Sequence, residues 1–174
     1  MSETSNTPGQ PVNQRSRPSV PEGATTTGAD AVTAQGTPRA ATTARGAAFR
    51  LYHWALLAFL LAGAVQIFLA GLGVFSFGDH DVAGGTSAFD AHRTLGFTLA
   101  GVAVIIFVLA VIARPGALPL VLCGVLIVQT SLLQSLLAGL ADNTALFGGL
   151  HALDGLLVLG IAGFLYVTSR RRRA

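Results

Sequence analysis

The chain has 174 residues, of which 52% are hydrophobic and only 11% charged, and its formal net charge of +3 rests on arginine as the sole basic residue besides histidine. A soluble globular domain carries about a quarter charged residues, so this deficit excludes an ordinary water-facing surface and indicates one that faces lipid. The modest positive balance fits membrane orientation rather than nucleic-acid binding, and the single Cys123 excludes a disulfide framework or a thiolate metal centre within one chain.

In chain order, residues 1–46 are rich in Ser, Thr, Pro, Gly and Ala and have almost no large apolar side chain to bury. Such a segment cannot offset the entropy of ordering, which predicts a disordered cytoplasmic tail. The first apolar run then starts too late for an ordinary signal peptide. Four apolar segments follow at approximately 51–74, 88–113, 117–140 and 146–168, each near or above the ~20 residues that cross ~30 Å of hydrocarbon. The expected fold is therefore all-α: an integral membrane four-helix bundle over residues 47–170, with a disordered N-terminal tail and a basic cytoplasmic end at 171–174. Thr86 and Ser87 are expected to cap the second span, with Asp90 in its first turn. Arg114-Pro115-Gly116 ends that span, and Asp142-Asn143-Thr144 makes the last turn.

Orientation follows from arginine. Arg50, Arg114 and Arg170 through Arg173 flank one side, whereas the other carries Asp79, Asp81, Asp90 and Asp142 against only Arg93. The arginine side is expected to be cytoplasmic, which places both termini inside a bacterial plasma (inner) membrane. Tyr52, Trp54 and Tyr166 then fall at the cytoplasmic interface, where amphipathic rings are favoured.

The two helical hairpins echo each other. Val65-Gln66 matches Val128-Gln129, and the even spans carry His92-x-x-x-Gly96 and His151-x-x-x-Gly155. Parallel second and fourth spans put His92 and His151 at one depth near the outer face, and a glycine one turn deeper removes bulk beside each imidazole. Two imidazoles projecting inward with small residues beneath them suit axial ligation of a haem iron. Arg93, beside the first ligand, suits a haem propionate, or else it snorkels or pairs with Asp90. Asp154, the one carboxylate well inside a span, should face the interior near Gln134, as a proton-relay group, an orienting partner or a hydrogen-bonded packing residue. Gln66, Gln129, Ser131 and Gln134 extend that polar interior. The competing reading has the histidines serve only as interhelical hydrogen-bonding groups in a cofactor-free structural or partner-binding protein. His53 lies at the opposite membrane face, where an interface histidine is expected, and Asp79-His80-Asp81 is expected to be a solvated turn rather than a metal site. No P-loop, zinc-helix motif, dinucleotide fingerprint or nucleophile elbow occurs.

Arg50-Leu51-Tyr52-His53-Trp54 followed by an apolar span resembles the opening helix of bacterial four-helix b-type cytochromes, the group that includes superoxide oxidase and the cytochrome b subunits of nickel–iron hydrogenases. That resemblance implies a haem b at the outer site on His92 and His151, with electron transfer to a quinone or redox-protein partner. The inner site implied for His53 lacks a second histidine near Leu165. The order His92-Arg93, Gln129, His151 is also similar to one half of haem A synthase, in which an acid before the His-Arg pair assists oxidation. Asp90 is the nearest equivalent, and a homodimer would reproduce that family's eight-helix plan. The architecture is likewise similar to that of small actinobacterial four-helix membrane proteins.

Overall fold

Hydrophobic runs this long leave the backbone no water to bond to within a bilayer, so each must satisfy its own amides as a helix. The computed structural model describes residues 37–141 and 143–172, with side chains from Thr42 onward. Helix α1 spans Thr37–Gly78, α2 Val82–Ala113, α3 Ala117–Ile127, α4 Gln134–Ala141 and α5 Ala145–Arg171; a π-helical segment, Val128–Leu133, joins α3 to α4. Four helical stretches are long and apolar enough to cross a membrane, the third being Ala117–Ala141. The protein is a four-helix membrane bundle. Large apolar side chains such as Phe68, Phe75, Phe97 and Leu132 stand exposed around it, where acyl chains would cover them.

The breaks have local causes. Asp81 is the N-cap of α2, its Oδ1 accepting from Gly84 N at 3.0 Å. Thr86, expected to cap, lies inside the helix instead and donates its hydroxyl proton to Val82 O. The spacing to the first apolar run concealed this start, because Gly84 and Gly85 resemble loop. Proline disfavours the right-handed helical region for the residue before it, and Arg114, ahead of Pro115, sits at φ 53° as the C-cap of α2. Gly116 at φ 114° then begins α3. Thr144, with extended backbone, precedes α5.

The start of α1 also differs from expectation. Helix α1 begins at Thr37, so residues 37–46, assigned to the tail by composition, are helical; Ala40, Ala41, Ala44 and Ala47 have high helix propensity, and Pro38 suits a first turn. The remainder of the expected tail lies outside the described residues. Because α1 starts early, Tyr52 lies well inside it and is only 1% exposed, its hydroxyl 3.8 Å from Cys123 Sγ. It is a core residue and not part of an interfacial belt, whereas Trp54 is exposed.

Helix α1 packs on α2 and α5, and α3 also packs on α2 and α5, so α2 and α5 face each other across the bundle diagonal. The core concentrates in the half nearest the termini, where Leu56, Phe59, Ala103, Ile106, Ala110, Cys123, Leu126 and Ala162 are fully buried. Toward the interhelical loops the packing loosens: neither the π segment nor α4 has a buried residue. The polar side chains of interest lie in that looser half.

Candidate functional site

Two reciprocal cross-links tie the loop-side half together. In the first hairpin, His92 Nδ1 donates to Gln66 O at 3.0 Å, while Gln66 Nε2 donates to His92 O at 2.8 Å. In the second, His151 Nδ1 donates to Gln134 O at 3.2 Å, while Gln134 Nε2 donates to His151 O at 3.1 Å. The internal repeat is therefore real at the level of interactions. The counterpart of Gln66 is Gln134, however, and not Gln129 as the matched Val-Gln pairs suggest.

The second hairpin is shorter, with glutamine and histidine 17 rather than 26 residues apart, and the π segment sets the phase at which Gln134 emerges. Gln134 N–H bonds to Gln129 O, five residues back, so the wider turn holds one extra residue. An extra residue rotates all that follows by ~100° relative to a continuous α-helix, since 3.6 residues complete a turn. That rotation brings Gln134 to bear on α5.

Across the diagonal, the His92 and His151 rings meet with centroids 6.0 Å apart and planes inclined at 62°. In a neutral ring, a proton donated from Nδ1 leaves the lone pair on Nε2. Imidazole nitrogens sit ~2.0–2.1 Å from a transition metal, which puts the centroids of two opposed ligands roughly 6 Å apart once the in-ring distance is added. The observed centroid distance of 6.0 Å is close to that value. Phe89 lies edge-on to His92 at 6.4 Å and stacks on Phe77 at 5.8 Å, closing the first hairpin beside the site.

Asp154 is 7% exposed, faces inward as expected, and accepts from Gln134 Nε2 through Oδ2 at 2.9 Å. Gln134 thus connects the carboxyl to both the ring and the backbone of His151. In the first hairpin the position three residues after the histidine is Leu95, and there Gln66 Oε1 is buried with no donor. The polar interior is one hydrogen-bond donor short at that atom.

Gly96 and Gly155 serve these cross-links. A Cβ on Gly96 would approach Gln66 Nε2 at 3.2 Å, and one on Gly155 would approach Gln134 Nε2 at 3.5 Å. The space that each glycine leaves adjoins a glutamine amide. Alanine in place of a helical glycine contributes roughly 1 kcal/mol through propensity. Gly155→Ala is accordingly expected to raise the melting temperature in detergent, whereas Gly96→Ala, which crowds its glutamine, should show no gain.

Other expected participants lie elsewhere. Arg93 Nη1 is 3.7 Å from Asp90 Oδ1, an exposed surface pair of small energetic value. Asp79 and His80 form the turn before Asp81, with His80 at φ 64°. Among the described residues no group of three or more His, Cys, Asp or Glu is arranged to hold a metal ion. Gln129 lies within the π segment, and Ser131 on it is exposed.

His53, expected at an interface, is 6% exposed at the opposite end of the bundle. Ser169 donates its hydroxyl proton to Tyr166 O at 2.7 Å, so His53 Nδ1 donates to Ser169 Oγ at 2.8 Å. Its ring stacks on Tyr166 at 4.8 Å. Sequence reasoning missed Ser169 because serine before a basic run resembles a frayed helix end. The chain matches no protein-family model, no curated protein and no solved structure.

Proposed function

We propose that this chain is a b-type haem protein of the membrane, akin to four-helix b-type cytochromes, in which His92 and His151 would hold the haem iron and electron transfer to a quinone or redox-protein partner would be the role. The observation that carries the reading is the paired anchoring: each Nδ1 is tied to a carbonyl, each Nε2 keeps its lone pair, and the rings meet at 6.0 Å.

In this reading Gln66 and Gln134 fix the histidine tautomers and Asp154 holds Gln134 in place. Arg93, whose partner Asp90 is exposed, supplies a guanidinium for a propionate. Bound haem supplies a one-electron couple tuned by its ligands and their hydrogen bonds. A pyridine-haemochrome assay on protein purified from cells given a haem precursor should return haem b at one per chain. Colourless protein from haem-replete cells contradicts the proposal and favours histidines that serve helix packing alone.

Arginine asymmetry supports cytoplasmic termini and a site near the outer face. Because Cys123 is fully buried, an impermeant thiol reagent should not see it. In intact cells Asp79→Cys is expected to label and Arg172→Cys to remain unlabelled; the reverse pattern would invert the orientation.

A further inference from the structure

A groove of about 650 Å3 runs between the third and fourth membrane helices, within the range typical of small-molecule sites. Leu133, Leu137, Leu150, Leu153 and Leu157 form its walls, and Gly160 leaves one end open. Leu150, Leu153 and Leu157 are also exposed on the outer surface of the bundle, so the groove opens toward lipid. Its one ionisable lining residue is Asp154.

The carboxyl is more than nine-tenths buried, and Gln134 reaches only Oδ2. Among the described residues the one ion pair is Arg93 with Asp90, so Asp154 has no cationic partner among them. A lone ionisable group at membrane depth costs ~2.5–3.5 kcal/mol on insertion scales, and a functional role is its default explanation. A carboxylate in apolar surroundings escapes that cost by taking a proton or by facing a cation. The groove supplies the second route, with leucine walls for an apolar body and a single negative group at the floor for one positive charge.

We propose that this groove binds a lipophilic monocation, with Asp154 as its counter-ion. The site stands apart from the haem proposal and needs no cofactor. Its connection to His151 runs through Gln134, which bonds to both Asp154 and His151.

The test uses the full chain in nanodiscs of a zwitterionic lipid, with tetraphenylphosphonium as the probe and tetraphenylborate, of similar size but opposite charge, as its comparison. Saturable binding of the phosphonium at one per chain, about tenfold tighter than the borate after subtraction of empty-disc partitioning, is expected, which corresponds to ~1.4 kcal/mol. Asp154→Asn keeps an oxygen for Gln134 but removes the charge, and it should abolish that preference. Gly160→Trp fills the groove with the carboxyl intact and should weaken phosphonium binding by a similar factor; it decides the matter if the asparagine variant does not fold. Equal binding of the two probes, or phosphonium binding unchanged in Asp154→Asn or in Gly160→Trp, would overturn the proposal and leave the groove as a seat for lipid chains.

Discussion

Replacing either His92 or His151 with alanine is expected to remove low-spin haem from the protein, leaving a high-spin pigment or no pigment at all. Each imidazole is oriented by its own hairpin, His92 through Gln66 and His151 through Gln134, so neither ligand can substitute for the other. The nearest other histidines cannot reach the site: His53 is held by Ser169 at the far end of the bundle, and His80 lies in the turn beyond α1. His53→Ala and His80→Ala should therefore retain the wild-type spectrum. A ligand lost from one side leaves five-coordinate iron, and that change in spin state is large enough to read from the visible spectrum alone.

The second large effect is expected on stability, and it is asymmetric between the two hairpins. Gln134→Leu should destabilise the protein by about 1–3 kcal/mol, because the Asp154 carboxyl and the His151 carbonyl both lose a donor and the carboxyl is left buried without one. Gln66→Leu should cost under about 1 kcal/mol, since it removes a single side-chain bond and also an acceptor that already lacks a partner. If the difference arises from the stranded carboxyl, adding Asp154→Leu to Gln134→Leu should recover much of the loss. Reversible unfolding in mixed micelles measures all three; equal costs for the two glutamines would show that the hydrogen bond to Asp154 contributes nothing.

The number of spans and the turns that separate the last three were legible in the sequence because hydrocarbon admits few alternatives. Apolar length, Arg114-Pro115-Gly116 and the scarcity of interior charge leave little choice. The inward placement of Asp154 was legible for the same reason, as was the meeting of His92 and His151, since parallel helices with histidines near the same end bring them to one level. The start of α1 was not, because the helix continues past the apolar run into an alanine-rich stretch that composition alone assigns to the tail. The partnership of Gln134 with His151 was hidden by the π turn, whose extra residue shifts helical phase without any proline or glycine at Val128–Leu133 to announce it. Asp81 as the cap of α2 was obscured by Gly84 and Gly85, and the burial of Tyr52 depended on where α1 begins.

The central claim is that two imidazoles ligate one iron across the bundle diagonal, and low-temperature electron paramagnetic resonance of the oxidised, haem-replete full-length chain tests it most directly. A low-spin ferric signal is expected in the wild type and in His53→Ala, and its loss in both His92→Ala and His151→Ala. A high-spin ferric signal in the wild type, or a low-spin signal that survives removal of either histidine, would contradict it.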